Sequence, residues 1–342
     1  MKIRDSSVLD LWRTVRVAMP VVLVVVFLLA APRPVTAQTT LDVSIFHTDR
    51  DTFAEAFRNW AAGVEQGTQG RVKLRGHYAG SLVSITETLN AVRDGVVPLG
   101  TSSFAAASGR VPPLAFIEPT GGIPNTPEAF LRAADALQPV LERVLRGAGV
   151  QYIWMQPAFN ANVTCRDKHL RAAEDWRGTR IRVAGRWQSE QIRALGAVPV
   201  VIDPGELYVS LQNRTVDCTL ANNGFTLSLR LYEVAPYVTQ LRLPSNAVLY
   251  VGNPAQLERL SAADRAALMK AGHDAQEFGA RHVVEQYDRD AKTLTQRGAK
   301  YYALSDSELN FVRGAIRPVF EQMRQAVGAA GDPLANVLRA YW

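Results

Sequence analysis

The stretch Arg180–Cys218, RIRVAGRWQSEQIRALGAVPVVIDPGELYVSLQNRTVDC, switches between strand and helix patterns at short intervals. Its first residues alternate charged and apolar side chains, as a half-buried strand does, and RWQSEQIRALGA carries helix formers up to a terminating glycine. The apolar VPVVI reads as a second strand, ELYVSLQN as a second helix and TVDCTL as a third strand. Asp203, Pro204 and Glu206 supply an N-cap, a first-turn proline and an early acid for the second helix. Strands and helices joined by a few residues at a time mean an α/β domain with a largely parallel sheet.

The same order occurs upstream. LDVSIFH is an alternating strand, and the helix that follows places Phe53, Phe57, Trp60 and Val64 on one apolar face. RVKLRGHYAG is the next strand, SITETLNAVRDG a helix with Ser84 and Glu87 at capping-box spacing, and VVPLGTSS a third strand. Two similar α/β domains are therefore expected, with a Pro/Gly-rich loop, VPPLAFIEPTGGIPNTPEAF, wrapping the first. From Leu260 to Gly298 a helical pattern continues without proline, weakened only at Gly272 and Gly279. At 1.5 Å per residue such a helix is about 50 Å long, more than one domain of this size needs, so it should cross from one domain to the other.

The beginning of the chain has a basic segment with Lys2, Arg4, Arg13 and Arg16, then VAMPVVLVVVFLLAA, then Val35 and Ala37 at the small-residue positions before a cleavage site. Residues 1–37 are expected to be a cleavable signal peptide, with the mature protein starting at Gln38 in the periplasm. Its removal takes away five basic and two acidic residues, so the net charge of +6 falls to +3. The remaining cations are interspersed with acids, which speaks against a nucleic-acid partner. Export also permits oxidation, and Cys165 and Cys218, both in strands of the second domain, are expected to pair; two separate buried thiols are the alternative.

Catalytic signatures are missing from the sequence. No nucleophile elbow, phosphate loop, dinucleotide fingerprint or zinc-helix pattern occurs, the five histidines are scattered, and no metal or cofactor is expected. What remains is Arg182. Its strand neighbours Ile181 and Val183 point the other way, and a guanidinium at the end of a strand in an open α/β sheet sits where such folds bind ligands. It can grip a carboxylate through two parallel hydrogen bonds. Pairing with Glu174, Asp175 or a C-terminal acid is the competing reading.

The pattern EDWRGTRIRVAG…ALGAVPVVIDPGELYVSLQNRTVDC…LYEVAPYVT resembles the solute-binding proteins of tripartite ATP-independent periplasmic (TRAP) transporters, of the dicarboxylate-binding type. GRVKLRGHYAGSL…ETLNAVRDGVVPLG looks like the N-terminal stretch of that family. The resemblance implies a two-lobed α/β periplasmic binding protein with a long helix spanning both lobes, not an enzyme. It implies lobe I at 38–159 and 248–288 and lobe II at 160–247 and 289–342. It further implies that Arg182 holds the ligand carboxylate in the cleft, and that small and large membrane permease subunits receive the solute. Departures bear on the ligand. FNANVTC offers Asn160 and Asn162 where members for acidic sugars and dicarboxylates often carry a second arginine, so a monocarboxylate with an aromatic or hydroxylated body is expected. Asn162 and Asn222 are candidate polar contacts. Trp187 and Phe225 are candidates for an apolar wall, with core packing open for both. A ligand-sensing partner of a membrane receptor and an exported α/β enzyme are the rival functions.

Overall fold

Alternation of apolar and polar residues sets the first strand, β1 (Thr39–Ser44), and an Asp51 side chain accepting the Phe53 N–H caps the helix after it, α1 (Thr52–Gly67). The computed structural model describes residues 38–244 and 246–341; the expected signal peptide lies outside them. The chain continues through β2 (Val72–His77), α2 (Thr88–Arg93), β3 (Leu99–Ser103), α3 (Phe104–Ser108), α4 (Pro127–Gly147) and β4 (Gln151–Pro157). A second series follows: β5 (Asn162–Cys165), α5 (Ala173–Trp176), β6 (Arg180–Val183), α6 (Arg186–Ala194), β7 (Val198–Val201), α7 (Leu207–Gln212), β8 (Cys218–Ala221), α8 (Asn223–Ser228) and β9 (Tyr237–Gln240). The chain then returns with β10 (Ala247–Gly252), α9 (Pro254–Leu257), α10 (Ala262–Gln296), β11 (Lys300–Ala303), α11 (Asp306–Val327) and α12 (Asp332–Leu338).

These strands form two sheets, ordered β2-β1-β3-β10-β4 and β11-β9-β5-β8-β6-β7, one for each lobe. The expectation of largely parallel sheets needs correction. β10 comes back from the second lobe and runs antiparallel between β3 and β4, and β5 is antiparallel to both β8 and β9. Each sheet is mixed because each borrows a strand that enters from the other lobe. The two connecting segments run side by side, with Ala158 N–H donating to Asn246 O at 2.8 Å and Ala161 N–H to Leu243 O at 2.7 Å.

The long helix is as the pattern required. α10 has 35 residues, about 52 Å of helix. It packs on α1 and β4 in the first lobe, where Trp60 Nε1–H donates to Leu268 O, and its end joins Tyr232 and Val238 in the second. Gly272 and Gly279 have a packing reason: a Cβ at Gly272 would lie 2.9 Å from Trp154 Cδ1, and one at Gly279 3.1 Å from Gln156.

α11 also passes between lobes. Leu309, Val312 and Ile316 belong to the second core, whereas Val319, Phe320 and Met323 belong to the first. Pro318, which removes a backbone donor from the helix, falls at that transition. The last residues, Leu334 to Leu338 included, therefore pack in the first core rather than the second, unlike the expected division at residue 289.

Cys165 and Cys218 face one another across the β5–β8 pair and form a disulfide, fully buried in the second core. Two local expectations fail. Ser84 Oγ bonds Thr86 Oγ1 instead of capping α2, while the Glu87 carboxylate reaches Asn90 and Arg110. Asp203, Pro204 and Glu206 do stand at the N-cap, first position and first turn of a helical segment, but it is the 3₁₀ turn Pro204–Glu206 ahead of α7, and the Asp203 side chain makes no capping bond.

Candidate functional site

Strand alternation puts Ile181 and Val183 into the second core and turns Arg182 towards the other side, at the carboxyl end of β6. There the guanidinium is 5% exposed, and Nε donates to Ile202 O at 2.8 Å. That bond fixes the plane of the group and leaves both terminal nitrogens without a hydrogen-bond partner among the described residues. Among the described residues no carboxylate forms an ion pair with it; Asp175 instead caps its own short helix through the Arg171 and Ala172 N–H groups. Burial pushes the Arg182 pKa down to about 10, opposed by the charge of Asp203. Burial raises the Asp203 carboxyl in turn, with Arg182 pulling it the other way. At neutral pH Arg182 is a buried cation lacking a bonded anion, an arrangement that costs several kcal/mol unless a partner arrives.

Arg182 faces a cavity of about 60 Å³ between the lobes. The second lobe contributes Arg182, Gln188, Leu220, Asn222 and Phe225; the first contributes Phe46, Phe53, Ile85, Ser103 and Val248. Asn246, on a connecting segment, completes the polar lining. The location follows from the topology, since β1, β3, β6 and β8 all end there and open α/β sheets bind ligands beyond such ends. A larger surface groove of about 570 Å³ runs past Arg242, Arg313 and Arg317, but all three arginines are exposed and Arg242 is already paired with Asp306.

Of the residues singled out from sequence, Arg182, Asn222 and Phe225 meet at this cavity, the Arg182 guanidinium 5.8 Å from the Phe225 ring centre. Two others do not line it. Asn162 is fully buried on β5, its Nδ2 donating to Asn223 Oδ1 at 2.7 Å within a network that includes Tyr301 and the Tyr287 carbonyl. Trp187 is 5% exposed and packs in the first core, with its ring under the Arg186 guanidinium, so the helix-start packing reading describes its position. The first-lobe residues were not anticipated. Phe53 reads as part of the α1 core stripe, and Phe46, Ile85 and Ser103 fall at the ends of segments read as strand or helix, where periodicity does not say what a side chain faces.

The lobes touch on both sides of the cavity. On the side of Phe53 and Phe225, Ser228 Oγ donates to Asp51 Oδ2 at 3.2 Å and Thr52 Oγ1 to Asp290 Oδ2 at 3.1 Å. Gly224 lies so close that a Cβ there would be 2.3 Å from Thr52 Oγ1. On the side of Gln188, Glu118 Oε1 accepts the Trp187 and Gln188 N–H groups at the start of α6, and Ser108 Oγ donates to Oε2. Burial pushes the Glu118 carboxyl up to about 7, against those three donors.

A family profile described as bacterial extracellular solute-binding protein, family 7 (DctP), matches residues 43–326. The chain is 27% identical over 259 residues to a solute-binding protein of Albidiferax ferrireducens, covering 74% of this chain and 75% of that one. It is 21% identical over 257 residues to the 2,3-diketo-L-gulonate-binding periplasmic protein YiaO of Escherichia coli, covering 73% and 78%. Among solved structures, DctP7 of Bordetella pertussis, an extracytoplasmic solute receptor binding pyroglutamic acid, superposes with a TM-score of 0.82 at 19% identity, over 88% of this chain and 99% of that one. A TRAP periplasmic solute binding protein from Ralstonia eutropha with bound (S)-2-acetolactate gives 0.78 at 22% identity, over 88% and 98%. At these identities the structures speak for the fold, and the profile match, which spans most of the chain, decides membership. The chain belongs to the DctP family, the TRAP-type extracellular solute-binding proteins.

Proposed function

We propose that this protein captures a small organic monocarboxylate in the periplasm, with Arg182 as the carboxylate clamp, and passes it to the small and large membrane subunits of a TRAP permease. The observation that carries this reading is the buried Arg182 guanidinium, oriented by the Ile202 carbonyl, with no hydrogen-bond partner for its terminal nitrogens and no acid bonded to it among the described residues. Asn222 adds a polar contact and Phe225 an apolar one, and a ligand touching both lobes favours their closed arrangement. The relatives support an acid: one is named for a diketo-gulonate, and the structural neighbours hold pyroglutamate and acetolactate. Export with cleavage before Gln38 is part of the proposal. So is the absence of turnover, because no nucleophile–base pair faces the cavity among the described residues.

The test is mass spectrometry of whatever the purified protein releases on denaturation, followed by rebinding. A carboxylic acid recovered unchanged and rebound one to one supports the reading. A neutral or cationic ligand, or one converted on incubation, defeats it.

A further inference from the structure

We infer that closure of the lobes is proton-operated: Asp51 and Asp290 form a latch across the lobe contact that tightens as the surrounding pH falls and loosens as it rises. The inference concerns closure and does not depend on what the cleft holds. The latch is reciprocal. Asp51, at the start of α1 in the first lobe, accepts the Ser228 hydroxyl from the end of α8, while Asp290, near the second-lobe end of α10, accepts the Thr52 hydroxyl from the first lobe. Each lobe thus offers the other one carboxylate and one hydroxyl. Gly224 brings α8 against the same corner, since a Cβ there would collide with Thr52 Oγ1 and stand 3.3 Å from Asp290 Oδ2. Asp51 is only 2% exposed in this contact. Among the described residues no lysine, arginine or histidine bonds either acid.

Hydroxyl partners let the contact persist in both protonation states. An ion pair is lost when its carboxylate gains a proton, whereas a protonated acid donates to the hydroxyl oxygen from which it had accepted. What changes is the cost of closing: two carboxylates brought together without a cation lose water and repel each other, and a proton removes both penalties. Burial pushes the Asp51 carboxyl up to about 6, opposed by the bonds from Phe53 and Ser228 and helped by the charge of Asp290. Burial raises the Asp290 carboxyl too, against the Thr52 bond. Other groups at this corner do not supply the effect. α8 carries no titratable side chain. His47, whose ring meets Phe53 edge-on, is pushed down to about 4 by burial and is uncharged above that, and burial lowers His282 on α10 as well. Burial raises Tyr250 on β10, Tyr287 on α10 and Tyr301 on β11, which stay neutral. Arg58 on α1 is held by Glu55, and Asp49, Arg50, Asp288 and Arg289 are exposed. The sign follows: an acid raised in the closed form holds its proton more tightly there, so the advantage of closure is complete below the ordinary carboxylate range and is lost as pH rises through about 6.

Single-molecule energy transfer tests this, with dyes on Gln66→Cys and Gln212→Cys, exposed positions in separate lobes, counting closed molecules of ligand-free protein at pH 5 and pH 8. An acid that moves from 3.8 to about 6 on closing makes the closed-to-open ratio about tenfold higher at pH 5 than at pH 8. Asp51→Asn keeps the capping oxygen and offers Ser228 a donor, so it mimics the protonated latch: at pH 8 it should close about as often as wild type does at pH 5, with most of the pH dependence gone. Asp290→Asn should weaken the dependence in the same direction, and Glu118→Gln should leave it in place. A wild-type ratio that moves by less than about twofold overturns the latch. So does a full response in both Asn variants, or its loss in Glu118→Gln. No ligand enters the measurement, so each of these results leaves the carboxylate reading as it was.

Discussion

Replacing Arg182 with Met should make the empty protein more stable while cutting its stabilisation by ligand at least in half. The guanidinium pKa falls from 12.5 to about 10 on folding, which makes the charged form cost about 3 kcal/mol in the folded state. The sign is that of a depressed base: the cost is present in full below pH 10 and fades as pH rises beyond it. Met is similar in length and carries no charge, so it relieves that cost. It also leaves the Ile202 carbonyl without its 2.8 Å donor, a loss of about 1–2 kcal/mol. The balance is a gain of roughly 1–2 kcal/mol, or a rise in Tm of a few degrees for a chain of this size. Wild type at a ligand concentration of about 1,000 Kd should gain about 4 kcal/mol, and a variant that binds about 30-fold to several thousand-fold more weakly should gain about 2 kcal/mol or less at the same concentration. Scanning fluorimetry with and without ligand measures both. A variant that melts several degrees lower without ligand, yet shifts with it as far as wild type does, would refute the reasoning and make Arg182 a structural residue.

Three further outcomes are expected. Reducing the Cys165–Cys218 disulfide, which closes a loop between residues 53 apart, should lower stability by about 4 kcal/mol, read from urea midpoints of oxidised protein and the double Ser variant; equal midpoints would show that the denatured chain gains nothing from the link. The Glu118 carboxyl rises from 4.5 to about 7 on folding, so the folded state holds its proton more tightly and the acid's contribution falls as pH climbs from about 4.5 to 7. Melting curves should show E118Q gaining on wild type by up to about 3 kcal/mol across that window, and a constant difference would contradict it. Gly224→Ala puts a methyl group against Thr52 where the lobes meet, so stopped-flow release should be faster than in wild type, while an unchanged rate would remove this contact from the closure.

How far the sequence could be read depended on whether a feature leaves a periodic trace. The α10 helix, the α1 stripe and the β6 alternation that aims Arg182 all follow from spacing, and all are found. The mixed sheets do not, because β10 owes its antiparallel place to a chain that has already visited the other lobe, a relation with no local signature. Capping was misjudged at Ser84 and Asp203 because the residues that form an N-cap also form turns, and only tertiary contacts chose between them. Half of the cavity stayed hidden for a similar reason. Phe53 serves the α1 core and the cavity at once, and Ser103 becomes a lining residue only because β3 ends beside β10. Trp187 was open between an apolar wall for the ligand and core packing, and spacing alone had no means to choose the first core that surrounds it.

The central claim is that Arg182 holds the ligand's carboxylate, and the most direct measurement is calorimetric Kd for wild type, Arg182→Ala and Arg182→Lys with the acid the protein releases. Loss of a charge-assisted contact in a desolvated cleft should weaken the Ala variant by about 30-fold to several thousand-fold. Lys should recover only part of this, because an ammonium lacks the planar fork. Affinities within about threefold of wild type in the Ala variant, with the fold intact, would contradict the account.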